Sequence, residues 1–269
     1  MSLNLALLQT PSVPLEVGGL TPDALAGRDA AGIAAIPIHH GNDTVQLGDF
    51  FRVEGRCDGE IHVEGDLSRV KHIGAGMRSG LIHVHGDIGQ HLGAGMAGGR
   101  IVVDGNAGDW VAPEMSGGSV FVKGSAGHMV GSAYRGSAIG MTGGEIIIGG
   151  SVRNETGHGM RNGIIAVGGD SGDFTGVDML AGTIVVLGKL GIRSGAGMKR
   201  GTILSMNDAE MLPTFSFSCV YRPVFSRIWL RHVQQQGLPV SDAQVDGSYA
   251  RWCGDAVELN RGEILLYKM

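Results

Sequence analysis

Aromatic residues make up only 5% of this chain, and its three cysteines, Cys57, Cys219 and Cys253, are widely spaced with no C-x-x-C among them. Such thiols build neither a disulfide framework nor a zinc knuckle, and their expected state is reduced, in a cytoplasmic protein. Basic residues are outnumbered, 21 Lys and Arg against 26 Asp and Glu for a net charge of −5, which removes the electrostatic reason to expect nucleic acid as a partner. No apolar run approaches the roughly 18 residues that a membrane span needs. The opening MSLNLALLQTPSVPLEV has neither the basic flank nor the long apolar centre of a signal peptide.

Glycine is in excess, with 48 in 269 residues, more than twice the usual ~7%. There is no G-X-Y triplet, and Ile and Val are abundant, which excludes collagen and disorder and leaves a glycine-punctuated β repeat. The stretch HLGAGMAGG (91–99) carries the G-x-G-x-x-G spacing of a dinucleotide loop, but it runs into Arg100-Ile101-Val102-Val103 and not into a helix. Met96 in that stretch also recurs. Met77, Met96, Met115, Met141, Met160, Met179 and Met198 are spaced 19, 19, 26, 19, 19 and 19 residues apart, each followed three residues later by glycine. A cofactor loop occurs once, whereas a solenoid unit repeats.

After each of these glycines comes a hexad such as LIHVHG (81–86), RIVVDG (100–105), SVFVKG (119–124), EIIIGG (145–150) or TIVVLG (183–188). With period-2 alternation, the second and fourth positions share an inward face, in columns Ile61, Ile82, Ile101, Val120, Ile146, Ile165, Ile184, Ile203 and Val63, Val84, Val103, Val122, Ile148, Val167, Val186. The expected fold is all-β: a right-handed parallel β-helix of about 19-residue coils, with small capping segments including a C-terminal helix. Unbranched methionine suits the irregular corner of each coil. The seven extra residues in the long interval fall within 131–139 and predict a projecting loop.

The third hexad position points outward and changes from His62 and His83 to Val102, Phe121, Ile147, Ala166, Val185 and Leu204. An apolar stripe of that length needs a cover, supplied by this chain's own C-terminal region or by another subunit. Val102, Phe121, Ile147, Val185 and Leu204, with Tyr134 and Arg135 of the inserted loop, are therefore the candidate interface residues. Residues 1–46 are expected to form an N-terminal cap, with Thr21-Pro22 starting a helix. Residues 47–212 form the β-helix, and 213–269 a helix and hairpin covering it. The helix is expected across 220–236, with Val224, Phe225, Ile228, Trp229 and Val233 as its apolar positions and Gly237 as its stop. The hairpin is expected in 254–268.

Chemistry-bearing clusters are few. His62, His83 and His85 alternate onto one outward face in a geometry able to hold a metal, but no carboxylate or thiol in the sequence pattern completes a ligand set, so no metal site is assigned. No Ser/His/Asp order is recognisable, and no catalytic residue is assigned. The competing enzyme class, a β-helical acyltransferase, repeats every six residues, and 19 is not a multiple of six. A self-polymerising filament is opposed by the capping ends.

The GAGM turns at 74–77, 93–96 and 195–198, the G-x-x-G-x-x-x-G coils, and the flanks VPLEVGGLTPDALAG (13–27) and IPIHHGNDTVQLGDFFRVEG (36–55) together resemble a known family over essentially the whole length. It is that of the C subunit of formylmethanofuran dehydrogenase and its counterpart in the bacterial formyltransferase/hydrolase complex. The glutamate synthase C-terminal domain has a similar coil, so a stand-alone β-helical relative of it is an alternative, but the N-terminal flank and the length favour the dehydrogenase family. The resemblance implies a non-catalytic scaffold subunit of one-carbon metabolism. Its partners would be a zinc-containing hydrolase-like subunit, a formyltransferase subunit and a subunit resembling a molybdopterin enzyme. It implies no cofactor in this chain, and a methanofuran-type carrier passing formyl groups from formyl-tetrahydromethanopterin towards formate. The Ala-, Gly-, Arg- and Asp-rich composition favours the bacterial complex over an archaeal tungsten or molybdenum dehydrogenase. Because the implied carrier bears glutamates, Arg78, Arg135, Arg161, Arg193, Lys199 and Arg200 are candidates for a cationic track along the scaffold.

Overall fold

The apolar hexads form strands because β-branched side chains pack well on a pleated surface and the glycines on either side end each run. The computed structural model describes residues 2–268. It opens with β1 (Leu3–Leu7), β2 (Leu15–Glu16), the short helices α1 (Pro22–Leu25) and α2 (Ala30–Ala34), and the hairpin β3 (Pro37–His40) and β4 (Asp43–Gln46). The helix start at Thr21 is as expected, its hydroxyl accepting from the Ala24 amide with Pro22 in the first turn.

The repeats follow. They comprise β5 (Phe51–Gly55), β6 (Glu60–Glu64), β7 (Val70–Lys71), β8 (Leu81–His85), β9 (Arg100–Val103), β10 (Ser119–Val122), β11 (Glu145–Ile148), β12 (Ile164–Val167), β13 (Thr183–Val186) and β14 (Thr202–Ser205). The C-terminal part holds β15 (Ser216–Tyr221), α3 (Val224–Gln235), α4 (Asp242–Val245), β16 (Ser248–Gly254) and β17 (Gly262–Lys268).

The fold is all-β, with few helices. Among the described residues, one sheet of 13 strands runs in the order β15-β16-β17-β14-β13-β12-β11-β10-β9-β8-β6-β1-β5. It is parallel from β1 through β17 and antiparallel only where β5, β16 and β15 add at its ends. The inward isoleucine column lies in register through every repeat and extends past both ends, from Leu3 beside Ile61 to Ile264 beside Ile203. All of these side chains are buried. A smaller sheet, β4-β3-β2-β7, flanks the first repeats. Isolated parallel bridges such as Leu67 to Ile88 and Val152 to Ser171 join successive repeats elsewhere around the stack.

The recurrence of methionine with glycine has a direct steric cause. Each lattice methionine is fully buried. Its Cε lies beside the turn glycine of the following repeat: a Cβ on Gly182 would sit 2.8 Å from Cε of Met160, and one on Gly163 would sit 2.7 Å from Cε of Met141. The last methionine, Met198, meets Gly262 at the start of β17 in the same way, 2.7 Å from where a Cβ would be. Gly182 and Gly163 also have φ of +105° and +96°, which L side chains rarely adopt.

The outward stripe is divided between two fates. Ile147, Ala166, Val185 and Leu204 are buried beneath Leu230 and Val233 of α3, with Leu238, Val240, Val245 and Tyr249. Phe121 is only partly covered at the margin of this cluster, and Val102 lies beyond it, half-buried. The covering helix is where expected, but only part of its expected apolar face meets the sheet: Val233 is buried and Trp229 packs against the cluster. Val224 and Ile228 are 76% and 68% exposed, and the buried positions are Ser226, Leu230 and Val233. Two apolar stripes coexist on this helix, and helical periodicity alone does not say which one meets the sheet. Contacts fix the choice: the His232 imidazole bonds the Glu145 carboxylate of β11, and Gln234 Nε2 donates to the Val240 carbonyl at 2.8 Å. The terminal hairpin is β16 with β17, its first strand starting at Ser248, earlier than expected.

Candidate functional site

Three surface features rise from the repeat. The first is the polar start of the outward stripe. Parallel pairing sets His62 beside His83 and Glu64 beside His85, and the residue after β9, Asp104, follows in the next row. His62 Nδ1 faces His85 Nε2 at 2.9 Å, and the His62 and His85 rings are parallel to within 5°. Glu60 Oε1 lies 3.1 Å from His62 Nε2, and Asp104 Oδ2 lies 3.0 Å from His83 Nε2 and 3.1 Å from His85 Nδ1. Lys123 closes the group at 2.5 Å from the other Asp104 oxygen. Its ammonium, with the two imidazoles, holds the Asp104 carboxyl well below the usual carboxylate range. The carboxylates that the sequence pattern did not supply are therefore present, one on the same strand and one on the next repeat.

The second feature is a column of non-glycine residues in left-handed conformation, one per repeat: His72, His91, Trp110, Met129, Glu155, Phe174 and Arg193. They recur once per repeat, but no single residue type runs through the column, so the sequence pattern does not show them. Their shared backbone stacks the side chains. His72 and His91 lie 4.7 Å apart, Trp110 meets Tyr134 of the inserted loop at 4.8 Å, and the Arg193 guanidinium lies 5.4 Å over the Phe174 ring. The Tyr134 hydroxyl is 2.9 Å from His91 Nδ1. Burial, with His72 alongside, pushes His91 down to about 4, and burial pushes the Tyr134 hydroxyl up to about 12.

The third feature is a cavity of about 380 Å³ whose lining includes His158, Arg161, Asp178, Lys199 and Glu258. It brings together two of the candidate cations, Arg161 and Lys199, on alternate repeats with Leu180 between them. Asp178 stands 3.7 Å from His158, and Glu258 stands 3.6 Å from Lys199, so the lining is mixed in sign. Arg78 is separated from Arg161 along the same column by Ala97, Ser116 and Thr142, and Arg193 belongs to the stacked column, so the six cations do not form one continuous row. Arg135 and Arg200 are exposed.

A further surface went unmarked in the sequence pattern. Phe217 and Val220 on the edge strand β15, 54% and 55% exposed, lead directly into the exposed Val224 and Ile228 of α3. Exposed edge strands and contiguous apolar side chains are features that proteins ordinarily cover.

Residues 70–217 match the GXGXG motif family. Over 79 residues the chain is 43% identical to the C subunit of molybdenum-containing formylmethanofuran dehydrogenase 1 from Methanothermobacter thermautotrophicus, covering 29% of this chain and 20% of that protein. Over 85 residues it is 41% identical to the C subunit of the tungsten-containing dehydrogenase 2 of the same organism, covering 30% of this chain and 32% of that protein. The matched stretch thus spans only a fifth to a third of these curated relatives. The likeness to a chain of the crystal structure of the formyltransferase/hydrolase complex from Methylorubrum extorquens with methylofuran is full-length: TM-score 0.93, 32% identity, 99% of this chain and 100% of that one. With that coverage and the motif match, the chain belongs to the family of formylmethanofuran dehydrogenase C subunits.

Proposed function

We propose that this chain is the non-catalytic docking subunit of a cytoplasmic formyltransferase/hydrolase complex that moves formyl groups between a tetrahydromethanopterin carrier, a methanofuran-type carrier and formate. The observation that carries this reading is the end-to-end likeness to a chain of such a complex, including both non-repeat ends. The partners are hydrolase-like, formyltransferase and molybdopterin-enzyme-like subunits, with the catalytic zinc in the hydrolase-like one and no reaction cofactor in this chain.

The architecture that serves this role is a right-handed parallel β-helix over residues 47–212, capped by 1–46 and covered by 213–269. The in-register inward columns and the bridges between repeats support the helix reading. Ile147, Val185 and Leu204 are taken up by the chain's own cover, so docking falls to Val102, Phe121, Tyr134 and Arg135 on the repeat and to Phe217, Val220, Val224 and Ile228 at the edge. Arg161 and Lys199 are the part of the cationic track with a cavity to act in, where they would meet carboxylates of the carrier's glutamates.

The test is reconstitution. The isolated chain should release no formate from formylated carrier, and complex assembled without it should lose both formyl transfer and hydrolysis. Formate release by the isolated chain, or full activity of partners lacking it, refutes the docking role.

A further inference from the structure

We propose that His62, His83 and His85 form a binding site for a divalent first-row transition metal ion, Zn2+ or a chemically similar ion, which clamps adjacent repeats at the start of the outward stripe. One ring nitrogen from each of the three lies within 4.8 Å of the others. The decisive feature is the arrangement behind the rings. Glu60 accepts from Nε2–H of His62, and Asp104 accepts from Nδ1–H of His85. These bonds fix both tautomers and turn the lone pairs of His62 Nδ1 and His85 Nε2 towards each other at 2.9 Å. Two facing lone pairs at that separation repel unless a proton or a cation lies between them.

A carboxylate behind a histidine, orienting its other nitrogen inward, is the second layer that metal-binding imidazoles ordinarily have. Zinc–nitrogen bonds of about 2.0–2.1 Å in a tetrahedral site put ligand nitrogens roughly 3.4 Å apart. The facing pair therefore opens by about half an ångström on binding, a shift that partly exposed side chains make by small rotations. Imidazole donors select zinc, cobalt, nickel or copper over magnesium and calcium, which take oxygen ligands. His83, whose Nε2 also bonds Asp104, supplies the third nitrogen from the strand adjacent to His62, leaving a fourth position for water. Because His62 is on β6 and both other ligands are on β8, the ion pins the register of two successive repeats where no apolar cover reaches. The site is structural and independent of the docking role.

The experiment uses the untagged full chain stripped of metal. Co2+ should bind with the visible absorption of a tetrahedral nitrogen site, and Zn2+ should displace it stoichiometrically, one ion per chain. His62→Ala with His85→Ala should weaken Zn2+ binding at least about 100-fold, and Glu60→Gln should weaken it roughly 10- to 100-fold. The histidines stand at the surface, so an unchanged circular dichroism spectrum establishes that each variant folds. The control His128→Ala, on another side of the stack, should leave the affinity unchanged. Wild-type chain that binds no Co2+ or Zn2+ at micromolar concentration, or a His62/His85 double variant that binds as tightly as wild type, overturns the site. An equal loss in His128→Ala, which marks surface adsorption only, overturns it too.

Discussion

Truncating Met160 and crowding Gly182 tests the steric logic of the repeat through the coupling between the two changes. Met160 is fully buried, so Met160→Ala removes a packed thioether and leaves a cavity, a loss of about 2–5 kcal/mol. Gly182→Ala imposes a left-handed conformation on an L residue, about 1–2 kcal/mol. It also sets the new methyl 2.8 Å from Met160 Cε and 3.2 Å from its Sδ. That overpacking adds about 1–3 kcal/mol. In the double variant the clash is gone and the added methyl occupies part of the cavity, while the backbone strain remains. The two losses should therefore fall short of additivity by about 1–3 kcal/mol. Equilibrium urea unfolding followed by circular dichroism gives the cycle, provided the denaturant slope is shared by all four proteins. Pairing Met160→Ala with Gly99→Ala, whose own neighbour is Met77, is the additive control. A Met160/Gly182 cycle additive within about 0.5 kcal/mol refutes the claim that methionine and the next repeat's glycine are one packing unit.

Ile146→Asp places an unpaired charge in the inward column and should prevent folding, at a cost of several kcal/mol. A folded variant with native-like denaturation would mean the strand faces are reversed. His91 should make stability pH-dependent. In the unfolded chain it takes up a proton below about 6.5, whereas in the folded chain it stays neutral to about 4, so its contribution is complete above pH 6.5 and is lost as pH falls through that window. The full shift corresponds to about 3 kcal/mol, and solvent screening of this half-buried ring reduces it to roughly 1–2. His91→Gln should accordingly lose less stability than wild type between pH 7 and pH 5 in urea titrations, and parallel losses would contradict the assignment. Reversing Arg161 and Lys199 to Glu should raise the apparent KM of the assembled complex for a polyglutamylated carrier by roughly 5- to 10-fold at low salt, fading as ionic strength rises. Unaltered kinetics at low salt would leave the cavity without a part in carrier handling.

The repeat was legible because its constraint is periodic. Methionine, glycine and isoleucine occupy the same lattice positions, so strands, register and inward face followed from counting. The chain ends were less legible, because there the packing partners are remote in sequence. Nothing near Leu3 marks it as a neighbour of Ile61, and helix α3 carries two apolar stripes, of which only contact with the sheet selects Leu230 and Val233. The stacked column of His72, His91 and Trp110 was hidden for another reason. What recurs there is a backbone conformation, and the residue type changes at nearly every step. At the histidine cluster the 19-residue repeat sets Asp104 beside His85, but the residue type changes along that column, so the carboxylate emerges only from the contacts.

That this chain exists to dock partner subunits meets its most direct test in the native host. The chain should be purified under mild conditions, as wild type and with Ile228→Asp and Val220→Asp on its exposed edge, and co-eluting proteins identified by mass spectrometry. Wild type should carry hydrolase-like and formyltransferase subunits in fixed stoichiometry. The variant, still folded because both side chains are more than half exposed, should elute without at least one of them. A wild-type chain that elutes alone would contradict the docking role.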